Sequence, residues 1–248
     1  MNIVSVDWDY FFADTLEFDW GHRESLFFIE AIWSLRAGAV GLVSGEPAID
    51  KMRPRSQFKH FWNSFDFPPE HLVIAESHLS LLEVLRQSGI QDATVYNFDA
   101  HHDLGYGMKE ENCGNWAKIA HEEGRIESYK LVYPQWRFVE PEIDGSIPAP
   151  EGLEFEYFLE PPEIEYADMV FICRSGSWTP PWCDDEWMKF IGHFEQYEWL
   201  WDSKSFTELA LKKRSPNMAE AKQLRAEHIA LCSKMGVLPF HPKGTVSA

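Results

Sequence analysis

Asp99, His101 and Asp103 follow one another at two-residue intervals at the end of the apolar run Val95-Tyr96-Asn97-Phe98. Side chains at i, i+2 and i+4 of an extended segment point the same way, so the three can converge. Two carboxylates around an imidazole suit a divalent cation such as Mn²⁺ or Zn²⁺. A second acidic strand end lies near the amino terminus, where Ile3-Val4-Ser5-Val6 runs into Asp7-Trp8-Asp9. There too the carboxylates stand two apart and share one face. In a third segment, Leu72-Val73-Ile74-Ala75 leads through a turn to His78. Taken singly, Asp-x-Asp fits a surface turn and His78 fits a capping or packing role. Taken together, the three strand ends describe the two halves of a two-metal site.

Elements of matching kind must position these residues. The approaches are short and rich in β-branched residues, which predicts parallel strands with ligands gathered at their carboxyl ends. Strands are expected at 2–8, 72–75, 93–98, 128–133 and Met169–Cys173. Helices are expected at Glu24–Arg36, 49–64, 78–88 (ended by Gly89), Trp116–Glu123, 184–201 and 217–234. The Pro-, Glu- and Gly-rich stretch 140–164 reads as a surface excursion or a short hairpin. No repeat and no low-complexity linker divides the chain. The expected architecture is therefore α/β, a mostly parallel central sheet flanked by helices, in one domain over 1–248.

The motifs resemble those of the arginase and ureohydrolase superfamily, whose three-layer fold is shared by histone-deacetylase-like enzymes. Asp99-Ala100-His101-His102-Asp103 corresponds to that superfamily's Asp-Ala-His-x-Asp motif, and Ser5-Val6-Asp7-Trp8-Asp9 to its Ser-x-Asp-x-Asp motif. Ala75-Glu76-Ser77-His78-Leu79-Ser80 is similar to Gly-Gly-Asp-His-Ser, with the histidine kept and the glycines lost. The Ser-x-Asp-x-Asp motif comes first here and last in ordinary arginases. The likeness is thus to a permuted family that includes the peptide arginases, and it covers mainly residues 1–10 and 72–120.

The resemblance implies two Mn²⁺ ions. One takes His78, Asp99, Asp103 and Asp7; the other takes His101 and Asp9, with Asp99 and Asp7 bridging. It implies hydrolysis at a guanidinium carbon to give urea and an amine, with Asp103 orienting the attacking water. His121 and His102 are candidate acids for the leaving amine. Glu46, in Gly41-Leu42-Val43-Ser44-Gly45-Glu46, either grips the guanidinium through paired hydrogen bonds or sits in an ordinary turn before Pro47. Asn115 either contacts substrate or caps the helix that follows. The loop Arg174–Trp182 leaves a strand at the ligand end, so Trp178 and Trp182 are either an aromatic wall for a peptide or packing under the carboxyl-terminal helices.

The expected function is a peptide arginase, acting on arginine residues of a precursor peptide to leave ornithine. Alternatives are a small-molecule ureohydrolase for arginine or agmatine, a Zn²⁺-dependent deacetylase-like amidohydrolase, and a metal-binding adaptor without turnover. The deacetylase-like reading lacks the upstream His-His pair those enzymes use, and an adaptor is expected to have lost ligands. The formal charge of −18, from 40 acidic and 22 basic residues, argues against nucleic acid and suits a cationic substrate. No apolar run approaches a membrane span and no signal-like segment opens the chain, so a cytoplasmic protein is expected. The four cysteines lack Cys-x-x-Cys spacing, as reduced thiols do. Oligomeric state is not legible.

Overall fold

A computed structural model describes residues 1–13, 25–39, 49–50, 52–65, 70–107, 109–139, 147, 149–194 and 208–236. Six strands form one sheet: β1 (Asn2–Asp7), β2 (His71–Ala75), β3 (Ala93–Phe98), β4 (Ile126–Val132), β5 (Glu154–Phe158) and β6 (Met169–Cys173). The spatial order is β2-β6-β1-β3-β4-β5 and every pairing is parallel. The α-helices among the described residues are α1 (Leu26–Ala39), α2 (Leu79–Ser88), α3 (Trp116–Glu122), α4 (Asp184–Ile191) and α5 (Met218–Met235).

Alternation along the strands splits the core in two. Val4, Val6, Leu72, Ile74, Val170 and Ile172 face one side, packed with Ile29 and Trp33 of α1 and Trp187 of α4. Ile3, Val73, Ala75, Met169, Phe171 and Cys173 face the other, with Leu81 and Leu85 of α2 and Trp116 and Ala120 of α3. Because both faces are covered, β1, β2 and β6 are near-continuous apolar runs, and the result is a three-layer α/β sandwich. α2 ends where Gly89 takes a left-handed conformation at φ 70°, as expected from the sequence.

Three expectations need correction. Residues 49–64 do not form a helix; the described part holds two single 3₁₀ turns, Ser56–Lys59 and Phe61–Ser64. Their job is to drive Phe58 and Trp62 into the core, which one short turn each accomplishes. The stretch 140–164 lies partly outside the described residues; its described part holds β5, no hairpin but an edge strand paired in parallel with β4, its side chains largely outside. Its polar–aromatic alternation, Glu154-Phe155-Glu156-Tyr157-Phe158, is the period-two pattern of a strand, short and set among Pro, Glu and Gly residues. The helix expected at 184–201 stops at Ile191 and gives way to a 3₁₀ turn at Gly192–Phe194. Among the described residues no helix is long and apolar enough to cross a membrane.

Candidate metal centre

β1 lies between β6 and β3, and the chain leaves it first for the β2 edge and then for β3 on the opposite side. Strand order reverses here, and such a switch point opens a crevice at the carboxyl ends of the strands. The register sets Asp7 level with Cys173 on β6, which is level in turn with Ala75 on β2. Val6 pairs with Phe98, so Asp99 follows at Asp7's height. The six residues picked out from sequence therefore meet at one sheet end, although 92 positions separate Asp7 from Asp99 in the chain.

His78 Nδ1 faces three carboxylate oxygens: Asp99 Oδ2 at 3.1 Å, Asp7 Oδ2 at 3.2 Å and Asp103 Oδ2 at 3.2 Å. His101 Nδ1 lies 2.9 Å from Asp9 Oδ2 and 3.5 Å from Asp99 Oδ1. Asp99 thus spends one oxygen on each histidine and joins the two groups. Asp7 turns Oδ2 to His78, and its Oδ1 accepts the backbone N–H of Asp9 at 2.9 Å. Donor atoms at right angles, each about 2.1–2.2 Å from a shared cation, stand about 3.0–3.1 Å apart. The spacing around His78 Nδ1 is close to that figure.

Hydrogen bonding points the same way. His78 Nδ1 and Asp9 Oδ2 are both buried and neither makes a hydrogen bond. His78 Nε2 pairs with Ser5 Oγ at 2.6 Å. A proton shared on that side leaves the Nδ1 lone pair aimed at three acceptors, an arrangement that a cation relieves and a proton can satisfy in one direction only. The supporting shell is in place: Trp116 Nε1–H donates to Asp103 Oδ2 at 2.6 Å, and Asn97 Nδ2 donates to Asp99 Oδ2 at 3.0 Å. The His78 ring is held between Trp116 and Phe171, with centroids at 5.1 and 5.6 Å. Asp103 itself sits at φ 54°, a left-handed conformation that aspartate tolerates at some cost.

Without a cation the cluster is electrostatically frustrated. Burial and the neighbouring Asp9 and Asp99 charges hold the Asp7 carboxyl well above its ordinary range. Burial, aided by Asp99, pushes Asp103 up to about 7. Burial works against charged imidazoles, yet the carboxylates around His78 and His101 hold both well above the usual histidine value. Asp99 alone is driven low: burial opposes its charge, and the close contacts with the His101 and His78 imidazoles override that opposition. Two dications would balance four carboxylates and remove the need for those protons.

The other candidates are distributed unevenly. Trp178 stands over the site, its ring 4.9 Å from that of His101, while Trp182 packs on Trp33 in the core. His102 is buried, its ring stacks on Tyr106 at 4.2 Å and its Nδ1 accepts from Leu104 N–H. His121 is remote: it closes α3 with Nδ1 at 3.1 Å from the carbonyl of Ile126, which opens β4 at the opposite end of the sheet. It is not placed to serve the centre. Asn115 occupies the N-cap position of α3, but its side chain makes no capping hydrogen bond; its amide accepts from Asn112 N–H and donates to Glu110 C=O, which ties the 110–115 loop together. Glu46 lies outside the described residues.

Sequence reasoning missed Glu76. Its Oε2 is gripped by Arg174, whereas its buried Oε1 makes no hydrogen bond and borders a crevice of about 10 Å³ with His78 and Trp178. The crevice needs a glycine at 176, because a Cβ there falls 2.0 Å from Oε1. Nothing local in Ala75-Glu76-Ser77 marks that role; it arises from the arginine one residue beyond β6. No family model, curated protein or solved structure matches this chain.

Proposed function

We propose that this protein is a dinuclear metal-dependent hydrolase that cleaves the guanidino group of arginine, with an arginine residue in a peptide as the substrate and Mn²⁺ as the metal. The observation that carries the metal reading is the pair of histidine–carboxylate groups joined through Asp99, with buried donor atoms on both sides left without hydrogen bonds. The guanidino substrate rests on the resemblance of the three motifs to the permuted arginase-like family. Two divalent ions at such a centre supply an acidified water and neutralise negative charge that develops at the attacked carbon.

The protein's own residues supply the rest. His78, Asp7 and Asp103 form one ligand group with Asp99, and His101 and Asp9 form the other. Ser5 fixes the orientation of His78, and Trp116 fixes that of Asp103. Trp178 covers His101, the most exposed of the six ligands at 15%. That position suits an aromatic contact to the planar guanidinium. The surplus of acidic residues draws a cationic substrate toward the protein.

The test is urea release by Mn²⁺-loaded protein from an arginine-containing peptide, free arginine and agmatine, alongside an Asp99→Asn variant. Urea from the peptide, with a loss of at least a hundredfold in the variant, is expected. Release of acetate from an acetylated amine without urea from any guanidino compound overturns the substrate assignment. Full activity in Asp99→Asn overturns the centre.

A further inference from the structure

Between Asp50 and Asp66 this acidic chain has no acidic residue, and it carries Lys51, Arg53, Arg55, Lys59 and His60. The described part of that segment, with its two 3₁₀ turns, forms a wall shared by two grooves. The larger, of about 700 Å³, is lined by Arg55, Lys59 and His60 and by the rings of Tyr10, Phe61 and Trp136. Among its described lining residues there is no aspartate or glutamate. The adjoining groove, of about 590 Å³, shares Lys59 and adds Lys189 and His193. Its one described acid, Glu186, is engaged by Arg53 at 2.9 Å.

We propose that the larger groove binds an acidic segment of a peptide chain. Three basic side chains around one depression, with no acid among the described walls, invert the charge bias of the whole molecule. Neither Arg55 nor Lys59 is in an ion pair among the described residues, and both are exposed. The half-buried rings offer rigid apolar surface to a backbone between charges, and Trp136 is pinned by its N–H bond to the Tyr10 carbonyl at 3.1 Å. The size suits a few residues of extended peptide. A nucleic acid fits less well, because its continuous phosphates would run from the groove onto acidic surface, while at physiological salt the groove's own field reaches only about 8 Å.

The groove lies at the same sheet end as the candidate metal centre. Tyr10 follows Asp9 directly, and Leu159, another wall residue, follows β5. The binding proposal does not depend on the reaction, so binding without turnover leaves it standing.

The experiment is fluorescence anisotropy with the full chain and a rhodamine-labelled ten-residue peptide of Glu, Asp and Gly, against the same peptide with Gln and Asn in place of the acids. The acidic peptide is expected to bind at least tenfold more tightly in low salt. The double variant Arg55→Glu/Lys59→Glu is expected to lose that preference, and Arg55→Gln/Lys59→Gln to lose part of it. Lys118→Glu, at an exposed site on α3, is expected to leave it unchanged. Equal affinity for the two peptides overturns the proposal, as does a tenfold preference that survives the double charge reversal. Tighter binding of oligothymidylate that competes with the peptide replaces it with a phosphate-polymer site.

Discussion

Replacing Trp116 by Phe tests whether the Asp103 carboxylate is a ligand or a structural group. The indole N–H donates to Asp103 Oδ2 at 2.6 Å, and the same oxygen lies 3.2 Å from His78 Nδ1. Phenylalanine keeps an aromatic face against His78 and removes only the donor and part of the ring. A hydrogen bond to a charged group contributes about 1.5–3 kcal/mol, and at about 1.4 kcal/mol per decade this corresponds to roughly ten- to hundredfold in affinity. Losing a partner that orients a metal ligand typically has an effect of that size, about 10–100-fold. Calorimetric titration of the metal-free protein with Mn²⁺ reads it directly. The same loss appears in thermal melts as a smaller Mn²⁺-dependent rise, since a ligand at free concentration L stabilises by RT ln(1 + L/Kd), which shrinks as Kd grows. The truncated ring also leaves a small void in a fully buried site, at about 1–3 kcal/mol of stability with or without metal. Metal affinity within twofold of the parent, beside a destabilised metal-free protein, refutes the reasoning and makes Trp116–Asp103 a packing contact.

Gly176→Ala is expected to lower stability by about 2–4 kcal/mol, because its Cβ meets Glu76 Oε1 at 2.0 Å and Arg214 Nη1 at 2.9 Å inside a packed ion-pair network; an unchanged denaturation midpoint contradicts this. The metal-free protein is expected to lose stability as pH rises. His78 and His101 have folded values above the ordinary 6.5, and Asp103 is at about 7 against 3.8, so their contributions are full in acid and fade as pH climbs through the folded values. Mn²⁺ must displace those protons, so its apparent affinity is expected to rise with pH and its binding to release protons, measurable as buffer-dependent heat. Binding heat that is the same in every buffer counts against it. Arg86→Ala is expected to change stability by less than about 1 kcal/mol and to do nothing in high salt, although Arg86 reaches both Glu111 and Glu123, because the group is exposed; urea denaturation at two salt concentrations decides.

The six clustered residues and the parallel sheet were legible in the sequence for one reason. Each strand is short, apolar and immediately followed by its polar side chains, so Val95–Phe98 and Ile3–Val6 announce both the strand and the end at which it delivers ligands. What was not legible depends on contacts between distant segments. β5 carries only a five-residue alternation, Glu154–Phe158, inside a Pro-, Glu- and Gly-rich stretch, and its place depends on pairing with β4. His121 sits on the next helix after the motif, yet its place in the last turn of α3 carries it to the far end of the sheet. Asn115 looked like a cap or a substrate contact, and its amide is consumed by its own loop. Glu76 acquires its environment from Arg174, Arg214 and Gly176, about 100 to 140 positions away, and no local spacing encodes that.

The molecule contains two buried charged clusters within a few residues of each other, and their difference argues for the assignment. Glu76, Arg174, Asp184 and Arg214 are all nearly inaccessible, and their two positive and two negative charges cancel. Arg174 also donates to the carbonyls of Leu209 and Lys212, and Arg214 to that of Gly176, so the guanidinium hydrogens find partners. This is how the fold manages buried charge when structure alone is at stake. Asp7, Asp9, Asp99 and Asp103, next door, have only two histidines and no arginine or lysine as partners among the described residues, so the contrast lies in charge balance. Unbonded buried atoms occur in both clusters, Glu76 Oε1 in the first and His78 Nδ1 and Asp9 Oδ2 in the second. A chain able to neutralise one acidic pair with arginines could have done so twice. It leaves four carboxylates converging on two imidazoles at the sheet's switch point, a deficit that two dications fill and that packing alone does not explain.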